Sequence, residues 1–244
     1  MKLADSSLPQ VNSSEYKIFS NEDIDNLVII DGCRADTYSR VVKDSDTRVT
    51  KASNSYEFIG ENFTSGDFDD FVYVTANPHF DPGVFEEITG RKPGDVFHEV
   101  FHTYRHGWDD NLSTVPPEEV SNEARTASKL FPEKSLVIHY MQPHYPFIHS
   151  ELENKGISND LSTNENSVWQ DLMRGRVDRN SVIEAYRNNL RYVMDEVEEL
   201  CGDLTGRSVI TSDHGNFIGE NNLYGHPEGM SSEPVRCVPW DVRE

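Results

Sequence analysis

Short apolar runs alternate along the chain with longer segments in which apolar residues recur at helical spacing. The runs are rich in valine, isoleucine and aromatic residues, a composition that predicts buried strands. They lie at 27–31, 47–52, 71–75, 96–104, 135–140 and 207–212, and a last apolar segment at 235–238 closes the chain.

Helices are predicted between these runs. One apolar stripe of a helix over 181–200 is formed by Val182, Tyr186, Leu190, Val193, Val197 and Leu200. Prolines followed by Glu118 and Glu119 are typical of a helix start, so a second helix is expected from there to about residue 130. Shorter helices are predicted at 35–42 and 55–63. Strands that alternate with helices predict an α/β fold, in which helices sandwich a mostly parallel central sheet.

The same pattern suggests how the chain is divided. Its 244 residues are ample for a buried core. Residues 1–25 are a polar N-terminal lead-in, and we expect one α/β domain over 26–244. The segment 150–180 is rich in asparagine, serine and acidic residues, which predicts an insertion or a lid over one edge of the sheet.

The net charge of the chain limits the classes of partner that it can bind. Acidic residues outnumber basic ones by 43 to 22, the net charge is −21, and arginines outnumber lysines by 14 to 8. Such a chain repels nucleic acid and anionic membranes, so neither is expected as the main partner. An acidic, lysine-poor surface is typical of a halophilic, archaeal protein, because salt screens its self-repulsion. An ordinary acidic cytosolic protein is the alternative.

The cellular compartment is inferred from the lack of a secretory signal, a membrane span and a cysteine framework in the sequence. Residues 1–26 hold no continuous apolar stretch, and nothing approaches the roughly 20 apolar residues of a membrane span. Cys33, Cys201 and Cys237 are odd in number and far apart, so neither a disulfide framework nor a thiolate zinc site is indicated. A cytoplasmic protein without a membrane span is therefore expected.

Candidate chemistry lies at the ends of predicted strands. Asp213 and His214 follow one apolar strand and offer an oxygen and a nitrogen ligand, a mixture that suits zinc, manganese or iron. Asp31 ends the strand at 27–31. Ligands of open α/β sheets gather at the carboxyl ends of strands, so Asp31 and Asp213 are expected to be neighbours in space.

Histidines lie on two further loops. His139 and His144 flank Pro143 at the end of the predicted strand 135–140, and His226 lies on a Gly/Pro loop shortly after the Asp-His pair. Each alone is more often structural. Their shared position on strand-end loops indicates a common site for a metal or an anionic oxygen.

Five segments resemble, in order, the motifs of the alkaline phosphatase superfamily in its sulfatase-like branch. They read LVIIDGCRADTY at 27–38, SNSYEF at 53–58, HYMQPHYPF at 139–147, VITSDHG at 209–215 and YGHP at 224–227. The chain is similar to short sulfatase-like proteins of haloarchaea, which agrees with its acidic composition.

The resemblance implies roles for particular residues. Asp31, Asp213 and His214 would hold one divalent metal, zinc, manganese or a similar ion. Ser55 would be the nucleophile, although Ser53 lies in the same segment and only one register can apply. His144 would hold a nonbridging or leaving oxygen, with His226 and His139 beside it. Arg34 is a candidate substrate contact, and an ion pair with Asp36 is the alternative.

The chain also departs from the family. The sulfatase motif C-x-P-x-R is absent, because Cys33 is followed by Arg34-Ala35-Asp36-Thr37. Sulfatase activity through a modified cysteine is therefore not expected. Gln142 occupies a position where related sequences often have aspartate, which argues against a complete second metal site.

These observations predict a metal-dependent hydrolase of phosphate esters, or of related sulfate or phosphonate esters, that acts through a serine nucleophile and a covalent intermediate. Its substrate would be a small-molecule, glycan-linked or lipid-linked phosphate ester. The alternative is a degenerate family member that has kept the fold as a binding or structural module. Metal binding and the distance of Ser55 from that metal distinguish the two.

Overall fold

The computed structural model describes residues 2–11, 19, 24–152 and 167–244. Seven strands form one sheet: β1 (Asn26–Ile30), β2 (Asp46–Val49), β3 (Phe68–Thr75), β4 (Phe97–His102), β5 (Ser135–Tyr140), β6 (Ser208–Thr211) and β9 (Cys237–Arg243). Their order is β2-β9-β6-β1-β5-β3-β4. A separate antiparallel pair is formed by β7 (Phe217–Ile218) and β8 (Tyr224–Gly225).

The sheet is mostly parallel, as predicted. Strand β1 lies parallel to β5 and β6, and β3 lies parallel to β4 and β5. Only β9 runs antiparallel to its neighbours β2 and β6 among the described strands of this sheet. Parallel strands bring their carboxyl ends to one edge, which is where the candidate residues lie.

Eight α-helices accompany the sheet in the described residues: α1 (Lys2–Asp5), α2 (Ala35–Val41), α3 (Ser55–Phe63), α4 (Pro82–Thr89), α5 (Pro117–Leu130), α6 (Val168–Met173), α7 (Arg179–Asp203) and α8 (Glu233–Arg236). Short 3₁₀ turns lie at Pro78–Phe80, Pro93–Asp95, Thr103–Arg105 and Glu220–Asn222. The long helix α7 buries the predicted stripe, including Val182, Leu190 and Val197.

Two cores follow from the alternation of side chains along the strands. On one face, Val28 and Ile30 of β1 pack in the same cluster as residues of α5 and α7. On the other, Leu27 and Ile29 belong to a cluster that includes Phe58 of α3 and residues of α4. The sheet is therefore covered by helices on both faces, as the strand and helix pattern predicts.

The structure differs from the sequence pattern in several elements, of which α4 and the closing segment are two. The helix α4 is not predicted, and it is delimited by local signals: Asp81 accepts a hydrogen bond from the Gly83 amide at its start, and Gly90 ends it with a φ of 72°. The closing segment 235–238 is not uniform, because α8 runs to Arg236 and β9 begins at Cys237.

The two segments expected at the margins of the domain are described in part. Within the lead-in, Asp5 accepts hydrogen bonds from the backbone amides of Ser231 and Ser232, which joins α1 to the loop before α8. Of the segment 150–180, residues 153–166 lie outside the described residues, and the remainder includes α6. No helix among the described residues is long and apolar enough to cross a membrane.

Candidate active site

Asp31 and Asp213 follow the adjacent strands β1 and β6. The backbone amides of Gly32 and His214 donate to Asp213 Oδ1 at 3.0 and 2.9 Å, which fixes this carboxyl group. Gly32 has a φ of 68°, and a Cβ atom there would lie 2.6 Å from the side chain of Asn216. The turn after β1 therefore requires glycine to bring the chain past Asp213.

Ser55 is the first residue of α3 and faces both carboxyl groups. Its Oγ donates to Asp213 Oδ2 at 2.8 Å and lies 3.3 Å from Asp31 Oδ2. The helix is capped by Asn54, whose side chain accepts from the Glu57 amide at 2.8 Å. Ser55 is thereby free of the capping role, and its hydroxyl lies at the positive end of the helix dipole.

Ser53, the other serine of this segment, points elsewhere. Its Oγ donates to Glu57 Oε2 at 2.8 Å and lies 2.9 Å from the Pro227 carbonyl. These contacts join the start of α3 to the loop that carries His226. Of the two serines, only Ser55 contacts the carboxyl pair.

Two buried imidazoles complete this cluster. His214 Nε2 lies 3.3 Å from Asp213 Oδ2, 3.6 Å from Asp31 Oδ1 and 3.4 Å from Ser55 Oγ. Its Nδ1 lies 2.8 Å from the Gly215 carbonyl, to which it donates, so the lone pair of neutral His214 is on Nε2. His139 Nε2 lies 3.9 Å from Oδ2 of each aspartate. The three predicted metal ligands are brought together, and His139 joins them.

These donors suit a divalent cation. Asp31 Oδ1 and His139 Nε2 are buried and have no hydrogen-bond partner, although buried polar atoms are almost always satisfied. Within the described residues, the ligand atoms of Asp31, His139 and Asp213 lie within 4.8 Å of one another. Carboxylate oxygens together with imidazole nitrogens match zinc or manganese.

The pKa shifts of these residues favour the binding of a cation. Burial raises the pKa of Asp31 well above its ordinary value, and the neighbouring charge of Asp213 raises it further. Burial lowers the pKa of His139 and of His214 to about 4. Both imidazoles are therefore neutral near pH 7, which is the form that binds a metal.

A second pair of histidines faces the same cleft. His144 Nε2 and His226 Nε2 lie 2.9 Å apart, and His144 Nδ1 lies 2.6 Å from the Tyr145 carbonyl. Because Nδ1 donates to that carbonyl, Nε2 of neutral His144 accepts, and the shared hydrogen is on His226. Burial and the neighbouring imidazoles lower the pKa of both residues.

The cleft has a volume of about 170 Å³. It is lined by Asp31, Ser55, Asn77, Pro78, His79, Met141, His144, Tyr145 and His226. Ser55, His144 and His226, the three residues predicted to act in catalysis, thus share one cavity.

Arg34 and His139, the two predicted substrate contacts, lie outside this lining. Arg34 forms ion pairs with Asp36 at 2.8 Å and Glu220 at 2.6 Å, so it adopts the ion-pair alternative. His139 is fully buried beneath the carboxyl pair. Gln142 donates to the Val115 carbonyl at 3.0 Å and is not among the residues that line the cleft.

Three residues of the site are not predicted from the sequence. Asn77 Nδ2 donates to Asp31 Oδ2 at 3.1 Å, and its Oδ1 lies 3.0 Å from His79 Nδ1. The Tyr73 hydroxyl lies 3.0 Å from His139 Nδ1. The sequence held a signal for Asn77 and His79, because both follow the predicted strand at 71–75, just as the other candidate residues follow predicted strands.

Comparisons place this architecture among known folds. No family model matches the chain, and no curated protein matches it in sequence. Among solved structures, the soluble domain of lipooligosaccharide phosphoethanolamine transferase A from Neisseria meningitidis superposes with a TM-score of 0.57 at 14% identity, covering 97% of this chain and 80% of that domain. The chain covers 50% of the integral membrane form of that protein.

Two further structures have a similar fold. The C-terminal periplasmic domain of EcEptC from Escherichia coli, in complex with Zn, gives a TM-score of 0.52 at 14% identity, with 95% of this chain and 76% of that one covered. A 2-O GAG sulfatase gives 0.53 at 10% identity, with coverages of 90% and 63%. The chain shares the fold of these phosphoethanolamine transferase and sulfatase structures, so the expected sulfatase-like fold is confirmed.

Proposed function

We propose that this protein is a metal-dependent hydrolase of phosphate esters and that Ser55 is its nucleophile. The observation that carries the proposal is the position of Ser55 Oγ, 2.8 Å from Asp213 and 3.3 Å from Asp31 at the start of a helix. A serine whose only role was structural would not need two buried carboxyl groups and an imidazole around its hydroxyl.

Asp31, Asp213 and His214 are the proposed ligands of one divalent cation, with His139 as a fourth. When bound, such a cation lowers the pKa of a serine hydroxyl and offsets the negative charge of phosphoryl oxygens. The zinc complex of the E. coli domain with this fold supports the choice of metal. A second metal site is not proposed.

In the first half-reaction, Ser55 Oγ attacks phosphorus, and the bond from phosphorus to the leaving oxygen breaks. The Ser55 proton already points at Asp213 Oδ2, so an acceptor is in place. The helix dipole of α3 favours the anionic phosphoserine that results. Water then attacks this phosphoserine, which restores Ser55 and releases phosphate or its remaining ester.

His226 and His144 form the opposite wall of the cleft. His226 Nε2 carries the shared hydrogen and can direct this N–H in a hydrogen bond to the leaving oxygen or to a nonbridging oxygen, without transfer of the proton; the leaving oxygen takes its proton from water. His144 Nε2 then remains as an acceptor beside it. The pair thus supplies a donor and an acceptor without requiring either imidazole to be charged.

The substrate is proposed to be a small-molecule, glycan-linked or lipid-linked phosphate ester. The fold shared with a lipooligosaccharide phosphoethanolamine transferase supports an ester of this kind. A cytoplasmic location and adaptation to high salt stay predictions from the sequence.

The proposal is tested by trapping the covalent intermediate. Zinc-loaded protein is mixed with p-nitrophenyl phosphate and with bis(p-nitrophenyl) phosphate, quenched in acid and digested. Mass spectrometry is expected to find the phosphoryl adduct on Ser55, and nitrophenol release is expected to depend on added metal.

Ser55→Ala is expected to abolish both signals, whereas Ser53→Ala is expected to retain the adduct on Ser55. Circular dichroism establishes that both variants are folded. A folded, zinc-loaded protein that turns over neither ester would contradict the hydrolase and favour the binding or structural module.

A further inference from the structure

We infer that Trp169 is a positioning residue, which sets the separation of His144 and His226 by packing against both of their loops. The inference rests on the proposed function, in which these two histidines form one wall of the cleft. Trp169 lies on α6, within the segment 150–180 that the sequence predicts to be an insertion or a lid. Helix α6 is thereby a part of the active site.

Trp169 contacts the His144 loop, residues 143–148, through two aromatic rings. Its ring centroid lies 5.9 Å from that of Tyr145 at an interplanar angle of 89°, and 6.3 Å from that of Phe147 at 86°. Both are edge-to-face arrangements, a geometry that aromatic pairs prefer. Tyr145 lines the cleft and follows His144 directly in the chain. The indole therefore packs against the neighbour of one of the two histidines.

Trp169 also contacts the His226 loop, residues 224–229, at Gly225. A Cβ atom at position 225 would lie 3.1 Å from Trp169 Cδ1 and 3.3 Å from its Cγ, so the five-membered ring of the indole packs on bare backbone. Gly225 also has a φ of 69°, which favours glycine. His226 is the next residue along the chain, so the position of the indole limits the position of His226.

Other contacts hold one loop each. Asn189 bonds carbonyl groups of the His144 loop, and Glu57 accepts from a backbone amide of the His226 loop at 2.6 Å. Trp169 contacts both loops, so it can fix the distance between them. The Nε2 atoms of His144 and His226 lie 2.9 Å apart, and a small shift of either loop would lose this separation.

Trp169 is itself held in place by the fold. It is 6% exposed and belongs to one cluster with Val182 and Tyr186 of α7. The Tyr186 hydroxyl donates to the Gly32 carbonyl at 2.6 Å, which connects this cluster to the turn that follows Asp31. The indole therefore positions the two loops relative to the carboxyl pair as well as relative to each other.

The indole acts through its shape. Trp169 Nε1 is buried and has no hydrogen-bond partner among the described residues, although a buried indole nitrogen usually finds one. In the described structure the side chain does not line the cleft, so it acts through its neighbours and not on the substrate. A smaller aromatic residue is therefore expected to keep part of the effect, and an aliphatic residue to lose it.

The first test follows the loops directly and does not depend on turnover. Amide hydrogen exchange is measured by mass spectrometry on zinc-loaded wild type and Trp169→Leu, and circular dichroism establishes that the variant is folded. Peptides that cover the two loops are expected to exchange about tenfold faster in the variant, because both loops lose packing. Trp240→Leu is the matched control, since Trp240 is 4% exposed but packs in a different cluster. It is expected to change the exchange of both loops by less than about twofold.

The second test connects the loops to turnover through a double-mutant cycle. Trp169→Leu is expected to lower kcat for bis(p-nitrophenyl) phosphate by about 10- to 100-fold and to leave KM within about threefold, because the catalytic groups are misplaced while the cleft lining is kept. In a His226→Ala background the group to be positioned is gone, so the same substitution is expected to cost less than about threefold. Trp169→Phe keeps an aromatic edge and is expected to lower kcat by only about threefold.

Unchanged exchange in either loop of Trp169→Leu would overturn the inference, and so would an equal loss of turnover with and without His226. If Trp169→Leu does not fold, Trp169→Phe takes its place in both tests, with its smaller loss of kcat expected to vanish in the His226→Ala background. A wild-type protein that turns over neither nitrophenyl ester would contradict the proposed function alone. Hydrogen exchange would then still decide whether Trp169 holds both loops.

Discussion

The Tyr73 hydroxyl lies 3.0 Å from His139 Nδ1, and this contact joins β3 to β5 directly beneath the carboxyl pair. His139 Nε2 at the other side of the ring lies 3.9 Å from Asp31 and Asp213. A hydrogen bond on one ring nitrogen fixes which way the other nitrogen points. Tyr73 is therefore placed to orient His139 toward a metal.

We expect Tyr73→Phe to weaken zinc binding by about 10- to 100-fold, because the ring of His139 loses the partner that orients it. Competition with a chromophoric chelator measures the affinity. Tyr140→Phe is the matched control, since Tyr140 is also a buried tyrosine but hydrogen-bonds Ser121 in the opposite core. Equal affinities for zinc in the two variants would remove Tyr73 from the site.

Glu57 connects the proposed nucleophile to the His226 loop. Its carboxylate accepts from the Ser53 amide at 2.7 Å and from the Gly229 amide at 2.6 Å. We expect Glu57→Gln to lower turnover by about 10- to 100-fold through displacement of His226, with a loss of stability of about 1–3 kcal/mol.

Steady-state kinetics and urea unfolding measure these two effects. Glu61→Gln, on the exposed side of the next turn of the same helix, is expected to change neither. A Glu57→Gln variant with normal turnover would show that the loop holds its position without this carboxylate.

Asn189 holds the loop that carries His144. Its Nδ2 lies 3.3, 3.0 and 3.3 Å from the carbonyls of Pro143, His144 and Pro146, and its Oδ1 accepts from the Ile148 amide at 3.1 Å. We expect Asn189→Ala to reduce stability by about 2–4 kcal/mol, because several buried backbone groups lose their partner. Denaturant unfolding checks this, with the exposed neighbour variant Asn188→Ala expected to lose less than about 1 kcal/mol.

The acidic composition makes a prediction about salt. The charge of −21 leads us to expect that the midpoint of thermal unfolding rises between about 0.2 and 3 M KCl, because screening relieves self-repulsion. Thermal unfolding followed by circular dichroism measures the midpoint. Sucrose, which acts by exclusion and not by screening, is the control. A midpoint that does not rise with KCl beyond the effect of sucrose would contradict adaptation to high salt.

The convergence of Asp31 and Asp213 could be predicted because both residues follow apolar strands, and the carboxyl ends of parallel strands share one edge. The orientation of the His139 ring could not be predicted. His139 belongs to β5, where side chains alternate between faces. Its partner Tyr73 is a diagonal neighbour on β3, and only the register of the two strands reveals this contact.

Arg34 shows another limit of sequence reasoning. The spacing of Arg34 and Asp36 in the sequence allowed an ion pair between them to be considered. Glu220 lies far along the chain, and only the fold brings it to Arg34. His79 lies on a 3₁₀ turn that Asn77 caps, where no hydrophobic period points to the site. Strand ends were therefore predictable, whereas contacts that depend on tertiary packing were not.

The central claim is that Asp31, Asp213 and His214, with His139, bind one divalent cation next to Ser55. The most direct measurement is the zinc content of purified protein after reconstitution and removal of excess metal, by plasma mass spectrometry, for the wild type and Asp213→Asn. We expect about one zinc per chain in the wild type and close to none in a folded Asp213→Asn variant. A wild-type protein without stoichiometric metal, or a variant that keeps it, would contradict this account.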